Sequence, residues 1–180
     1  MKPTRVTPTG VERTFREDEI IVTKTDIRGV MTYVNDVFLR VSALGESDAI
    51  GKPHNLIRHP DMPRAVFGLL WDTVKDGREL FAYVLNLAVD GAHYWVFAHV
   101  TPSYDAQDRI VGYHSSRRKP KPAAVTAAAK LYAQLRAEER RHASAPMALE
   151  AGRRMMEETL AGLGVTYDEF VWDLTNGPGR

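Results

Sequence analysis

Apolar and polar positions change period several times along this chain, and each change predicts an element. Residues 19–25 (EIIVTKT) are β-branched and read as a strand. Asp26 to Gly29 form a turn, with Asp first and Gly last, and residues 30–34 (VMTYV) return as a second strand. Asn35 stands as a helix cap before Val37, Phe38, Val41 and Leu44, which recur at helical spacing. Ser47 opens a further short turn that ends at Gly51. Three more strands follow, at residues 79–89 (ELFAYVLNLAV), 92–103 (AHYWVFAHVTPS) and 109–118 (RIVGYHSSRR). The Asp90-Gly91 pair joins the first two as a hairpin. Two strands, three helical segments and three strands predict an α+β domain over residues 19–119. Its expected form is a five-stranded antiparallel sheet with its helices on one side.

Flanking segments have a different character. Residues 1–18 form an N-terminal tail or cap. Of these, 1–10 carry two prolines, three threonines and a glycine and are expected to be loosely ordered, and 11–17 suit one helical turn or a cap. After the KPKP break at 119–122, residues 120–180 read as a helical extension. Residues 124–141 are rich in helix formers and carry a modest apolar stripe of Val125, Ala128, Tyr132 and Leu135. A second helix after Pro146 places Leu149, Met156, Leu160 and Leu163 on one face and stops at Gly164. The third starts with a Thr166/Glu169 capping box and a Val165–Phe170 staple, and runs to about residue 174.

The densest chemistry lies in residues 54–71, HNLIRHPDMPRAVFGLLW. Pro60 and Pro63 lack an N–H and turn their predecessors away from helix, so residues 59–63 form a shaped connector with polar side chains. Pro63 suits a helix entry, and that helix should run to Lys75 and stop at Gly77. Polar groups and a tryptophan around a helix entry fit the wall of a small-molecule pocket. They fit equally a sharp corner with Trp71 in the core.

Composition narrows the function classes. An apolar fraction of 44% and a charged fraction of 26% are those of an ordinary globular protein. The net charge of +1 gives no argument for nucleic acid or an anionic membrane. The absence of cysteine excludes disulfides, thiolate nucleophiles, zinc-thiolate and iron–sulfur sites and cysteinyl photoadducts. The longest apolar run, residues 65–71, is far short of the roughly 20 that span a bilayer. With a polar N-terminus unlike a signal peptide, the chain is expected to be cytoplasmic. The basic run Arg117, Arg118, Lys119 and Lys121 reads as a solvated strand end rather than a nucleic-acid site. His54, His59 and Asp61 do not have a recognised metal-ligand spacing.

Residues 54–63 followed by Trp71 resemble the sensory PAS domain of bacterial aerotaxis receptors. Tyr33 to Asp36, Tyr94 to Val96 and Gly112-Tyr113 match it as well, so the resemblance covers roughly residues 19–119. It implies a PAS fold and noncovalent FAD, with FMN as the smaller option, in a sensor of redox, oxygen or energy state. It also implies cofactor-binding roles for Arg58, His59, Asp61 and Trp71, with Asn86, His54 and Asn35 as further candidates. The chain departs from the family at Leu85 and Leu87, where basic or polar residues usually flank the asparagine; this points toward weaker FAD binding or a smaller flavin. Neither a membrane anchor nor a signalling coiled coil follows, so output is expected to pass to a partner protein or through self-association of the C-terminal helices. The alternatives are a cofactor-free PAS interaction or dimerisation module and a haem gas sensor, for which the long helix lacks a histidine. Catalysis is not expected: no nucleophile with its base and no nicotinamide-binding glycine motif is present.

Overall fold

The structure, a computed structural model, describes residues 6–177. Strands β1 (Ile21–Asp26), β2 (Met31–Val34), β3 (Leu80–Leu87), β4 (His93–Tyr104) and β5 (Ile110–Arg118) form one antiparallel sheet. Their order is β2-β1-β5-β4-β3. Helices α1 (Asp36–Ser42), α2 (Glu46–Ala49) and α3 (Arg64–Lys75) lie between β2 and β3, with a 3-10 turn at His54–Ile57. The five-stranded α+β expectation is met. No helix among the described residues is long and apolar enough to cross a membrane.

Local chemistry sets the boundaries. Asn35 caps α1: its Oδ1 accepts from the Phe38 N–H at 3.1 Å and from the Val22 N–H at 3.0 Å. Pro63 is the N-cap of α3, and Gly77, at φ 78°, follows its end. The short helix α2 is entered from Gly45, so Ser47 lies inside it rather than at its cap. Residues 9 and 10, expected to be loosely ordered, are held in place, and residues 11–13, expected in a helical turn or cap, instead pair with β4 through a bridge at Glu12. Strand β5 pairs with β4 only from Phe97 onward, which frees the His93 backbone on that side. The His93 N–H donates to the Val11 carbonyl and the Arg13 N–H to the His93 carbonyl, at 2.9 and 2.7 Å. Residues 1–5 of the N-terminal tail, and residues 178–180, lie outside the described residues.

Helices α4 (Pro122–Glu139), α5 (Ala145–Leu163) and α6 (Tyr167–Asn176) fold back on the sheet domain. Successive strand residues point to opposite faces. On β3 and β4, Tyr83, Trp95 and Phe97 face outward, where Ala124 and Ala128 of α4 and Val171 of α6 pack against them. Helix α5 instead lies against α3, on the inner side. Glycine permits this crossing: a Cβ on Gly68 would meet Leu149 Cδ1 at 2.8 Å, and one on Gly152 would meet Glu139 Oε1 at 2.7 Å. The extension thus straddles the β3 margin. There the Tyr132 hydroxyl donates to the Tyr83 carbonyl at 2.6 Å, and the Leu85 N–H points to Met62 Sδ at 3.2 Å. The backbones of Arg58 and Asn86 also form a bridge. The capping box at Thr166 and Glu169 forms as predicted. Leu163, expected on the apolar face of α5, is 61% exposed at the last position of that helix.

Candidate functional site

A cavity of about 540 Å³ opens between α3 and the inner face of the sheet, within the size range of small-molecule pockets. Strand alternation supplies its floor. Thr23 of β1, Val84 and Asn86 of β3, Ala98 and Val100 of β4, and Tyr113, Ser115 and Arg117 of β5 all point inward. The 3-10 turn, Arg58 and α3 supply the wall, with His54, Arg64, Phe67 and Trp71. Ala145, Pro146 and Leu149 at the start of α5 complete the mouth.

Aromatic faces and guanidinium groups stand among aliphatic side chains in the lining. Trp71 meets Tyr113 edge-on, with ring centroids 5.4 Å apart, and leans on Gly29, where a Cβ would stand 3.0 Å from the indole. Arg58 donates to the Met62 carbonyl at 3.0 Å and lies over the Phe67 ring at 4.4 Å. Burial, with the charge of Arg64 beside it, pushes the Arg58 pKa down to about 10. Arg64 is exposed at the mouth. No carboxylate among the described residues lines the cavity, so its field is positive.

The two histidines of residues 54–63 divide. His54 lines the cavity, and its Nε2 lies 2.7 Å from Arg117 Nη2. An arginine only donates, so that nitrogen accepts and the imidazole is neutral. Burial first, and the Arg117 charge second, hold the His54 pKa well below its ordinary value. His59 is buried outside the cavity lining. Its Nδ1 accepts from the Asp61 N–H at 3.1 Å, which fixes the connector turn. Burial lowers its pKa and Asp61 opposes that shift. Asp61 is exposed and pairs with Arg140 of the extension at 3.1 Å. The structure therefore brings Arg58, Trp71, Asn86 and His54 together around one space, and leaves His59, Asp61 and Asn35 outside its lining. Asn35 spends its amide on the backbone, donating to the Ile20 carbonyl at 2.8 Å besides its two accepted bonds. Leu85 and Leu87 alternate with Asn86 and are likewise absent from the lining.

One lining residue contradicts its sequence reading. Arg117, expected at a solvated strand end, is only 5% exposed. Its Nη2 donates to Thr23 Oγ1 at 2.8 Å, while its Nη1 is buried without a partner. Burial pushes its pKa down to about 10. Asn86 Nδ2 and Ser115 Oγ, also in the lining, are buried and unpartnered as well. Strand alternation held the signal, because Arg117 is in phase with inward-facing Tyr113 and Ser115.

The extension ties onto this wall. Glu139 at the end of α4 is 2% exposed. One of its oxygens accepts from the Ala65 N–H in the first turn of α3 at 2.9 Å, and the other from Arg136 Nη1 at 3.1 Å. Arg153 of α5 pairs with Asp72 of α3.

Comparison with known proteins gives a consistent result. A family profile described as "PAS fold" matches residues 20–114. The chain is 36% identical over 121 residues to the aerotaxis receptor of Escherichia coli strain K12, across 67% of this chain and 24% of the receptor. It thus spans about a quarter of that relative's length. Among solved structures, the light state of the blue-light photoreceptor Aureochrome1 LOV superposes with a TM-score of 0.53 at 21% identity. That match covers 65% of this chain and 91% of the other. A light-oxygen-voltage domain studied with a flavin analogue gives 0.51 at 20% identity, covering 68% and 87%. These two likenesses concern the fold alone.

Proposed function

Because the chain belongs to the PAS fold family, and to its aerotaxis-receptor type by sequence, we propose that it binds a flavin and reports redox, oxygen or energy state to a partner protein. FAD is the first choice of cofactor and FMN the second. The observation that carries this reading is the lining of the cavity. Aromatic faces, three arginines without a carboxylate and buried groups without partners suit a flat, anionic, polar-edged ligand.

When bound, a flavin supplies reversible one- and two-electron chemistry, and its N5 accepts a hydrogen bond when oxidised and donates one when reduced. The residues present fit such a group. Trp71 offers a stacking face. Arg58 and Arg64, near the mouth, offer donors to phosphate. The Asn86 amide carries both a donor and an acceptor and so can follow either state of N5. Its backbone bridges to Arg58. Arg58 is bonded to Met62 just before α3, and α3 is capped by Glu139 of the extension. A rearrangement at Asn86 therefore has a short path to the surface of α4 and α5, where a partner or a second copy reads it. Leu85 and Leu87 no longer argue for the smaller cofactor, since neither lines the cavity. Haem is disfavoured: His54 is the one imidazole among the described lining residues, and its Nε2 is engaged by Arg117.

The test is an absorption spectrum of the purified protein and chromatography of the chromophore released by heat. Bands near ~370 and ~450 nm, with FAD released, are expected. A colourless protein that stays colourless after refolding with flavins would overturn the reading in favour of a cofactor-free interaction module.

A further inference from the structure

Arg117 carries a charge that the fold leaves unbalanced. Its guanidinium is almost fully buried, no carboxylate faces it, and its two partners, Thr23 Oγ1 and His54 Nε2, are neutral. The nearby Tyr94 hydroxyl from β4 is buried too, has no partner, and is pushed far up by burial. A buried charge without a counter-ion destabilises a protein, and an apolar residue of similar size is normally tolerated better. The chain itself thus offers no structural use for the free Nη1, which is buried among residues lining the cavity.

The cavity has two cationic poles of different wetness. Arg58 and Arg64 stand toward the mouth, where Arg64 is exposed, whereas Arg117 lies at the dry floor. A flavin nucleotide has two electron-rich regions to match them. Its phosphates are strongly hydrated and suit the mouth. The N1–C2=O edge of the ring is neutral when oxidised, and suits the floor. Resting on the flavin reading, we propose that Arg117 is a cofactor-binding residue that receives the N1–C2=O edge and favours the reduced ring over the oxidised one. Two electrons from an external reductant and one proton at N5 leave a negative charge shared by N1 and O2. The Arg117 guanidinium balances that charge in a site of low dielectric. His54, neutral and accepting from Arg117, adds no second cation beside that guanidinium.

The experiment compares wild type with Arg117→Met and Arg117→Lys by two measurements. The first is the thermal midpoint of the flavin-free proteins. The second is the two-electron midpoint potential of the flavin-loaded proteins, titrated with dithionite. Flavin-free Arg117→Met should be at least as stable as wild type, since the unpaired charge is gone. Loaded, it should lose at least tenfold in preference for the reduced ring, a fall of about 30 mV. Arg117→Lys should keep most of that preference. An Arg117→Met protein with an unchanged potential overturns the proposal while leaving flavin binding intact. An Arg117→Met protein that no longer folds makes the arginine a structural strut and overturns it as well. A wild type that takes up no flavin overturns both this proposal and the reading beneath it.

Discussion

On the outer side of β3, the chain provides partners for most buried polar groups, the Tyr167 hydroxyl being the exception. The Tyr132 hydroxyl bonds to the Tyr83 carbonyl at 2.6 Å, and the Tyr83 hydroxyl meets Thr175 Oγ1 at 2.8 Å. Glu139, where the extension passes to the other side, has both oxygens occupied. The inner side differs: Asn86 Nδ2, Ser115 Oγ and Arg117 Nη1 are as deeply buried and have no partner. Burial is common to both regions, so burial does not mark the site. Satisfaction does. A polar group that the fold completes is structure, and a cluster that the fold leaves incomplete beside a cavity fits a bound ligand or ordered water.

The largest expected effect tests the completed side. Glu139→Ala leaves the Ala65 N–H and Arg136 without their carboxylate and should lower unfolding free energy by ~3 kcal/mol in urea denaturation. Glu139→Gln, which keeps an acceptor, should recover part of it. A loss below ~1 kcal/mol would mean that the extension is only loosely seated.

The incomplete side is tested by Trp71→Ala. It removes the stacking face and should weaken flavin binding by about a hundredfold, ~3 kcal/mol, with the sheet still folded by circular dichroism. Full occupancy with unchanged affinity would end the stacking role.

Acid sharpens the contrast. His54 and His59 both have folded-state pKa values below the ordinary value near 6.5, because burial disfavours the charged ring. Below that pH the unfolded chain binds more protons than the folded one, so stability falls as pH drops from about 6.5. Above it the contribution is fully present. Urea midpoints at pH 7.5 and 5 should differ, and His54→Gln should shrink the difference. An identical slope in the variant would remove His54 from the effect.

The smallest effect is expected at Asp61, whose pair with Arg140 is exposed on both sides. Asp61→Asn should change stability by less than ~0.5 kcal/mol. If flavin affinity nevertheless falls tenfold, Asp61 acts on the cofactor site through the connector.

The sheet and the helix starts were legible in the sequence because alternation, the Asp90-Gly91 turn and the Asn35 and Thr166 caps are local signals. The connector was legible through its two prolines. Arg117 was not, because it precedes Arg118, Lys119 and Lys121 and reads with them as one basic run. A strand turns neighbours to opposite faces, so Arg118 goes out to solvent and Arg117 goes in. Glu139 was hidden in the same way, inside the charged run 138–141. Its burial depends on Gly68 and Gly152 letting α3 and α5 approach, which no local pattern announces. Residues 9–13 owe their order to a free backbone on a strand some 80 positions away.

The closed margin at β3 has a consequence for how copies of this protein meet. An outermost strand normally offers unpaired amides to any passing chain, and proteins left so exposed stick together by adding strands. Here the carbonyl of Tyr83, the amide of Leu85 and the backbone of Asn86 are already taken by α4 and the connector. Assembly by sheet extension is blocked on that flank while α4 stays docked. A chain cut before α4 would uncover Tyr83 and turn the same flank adhesive.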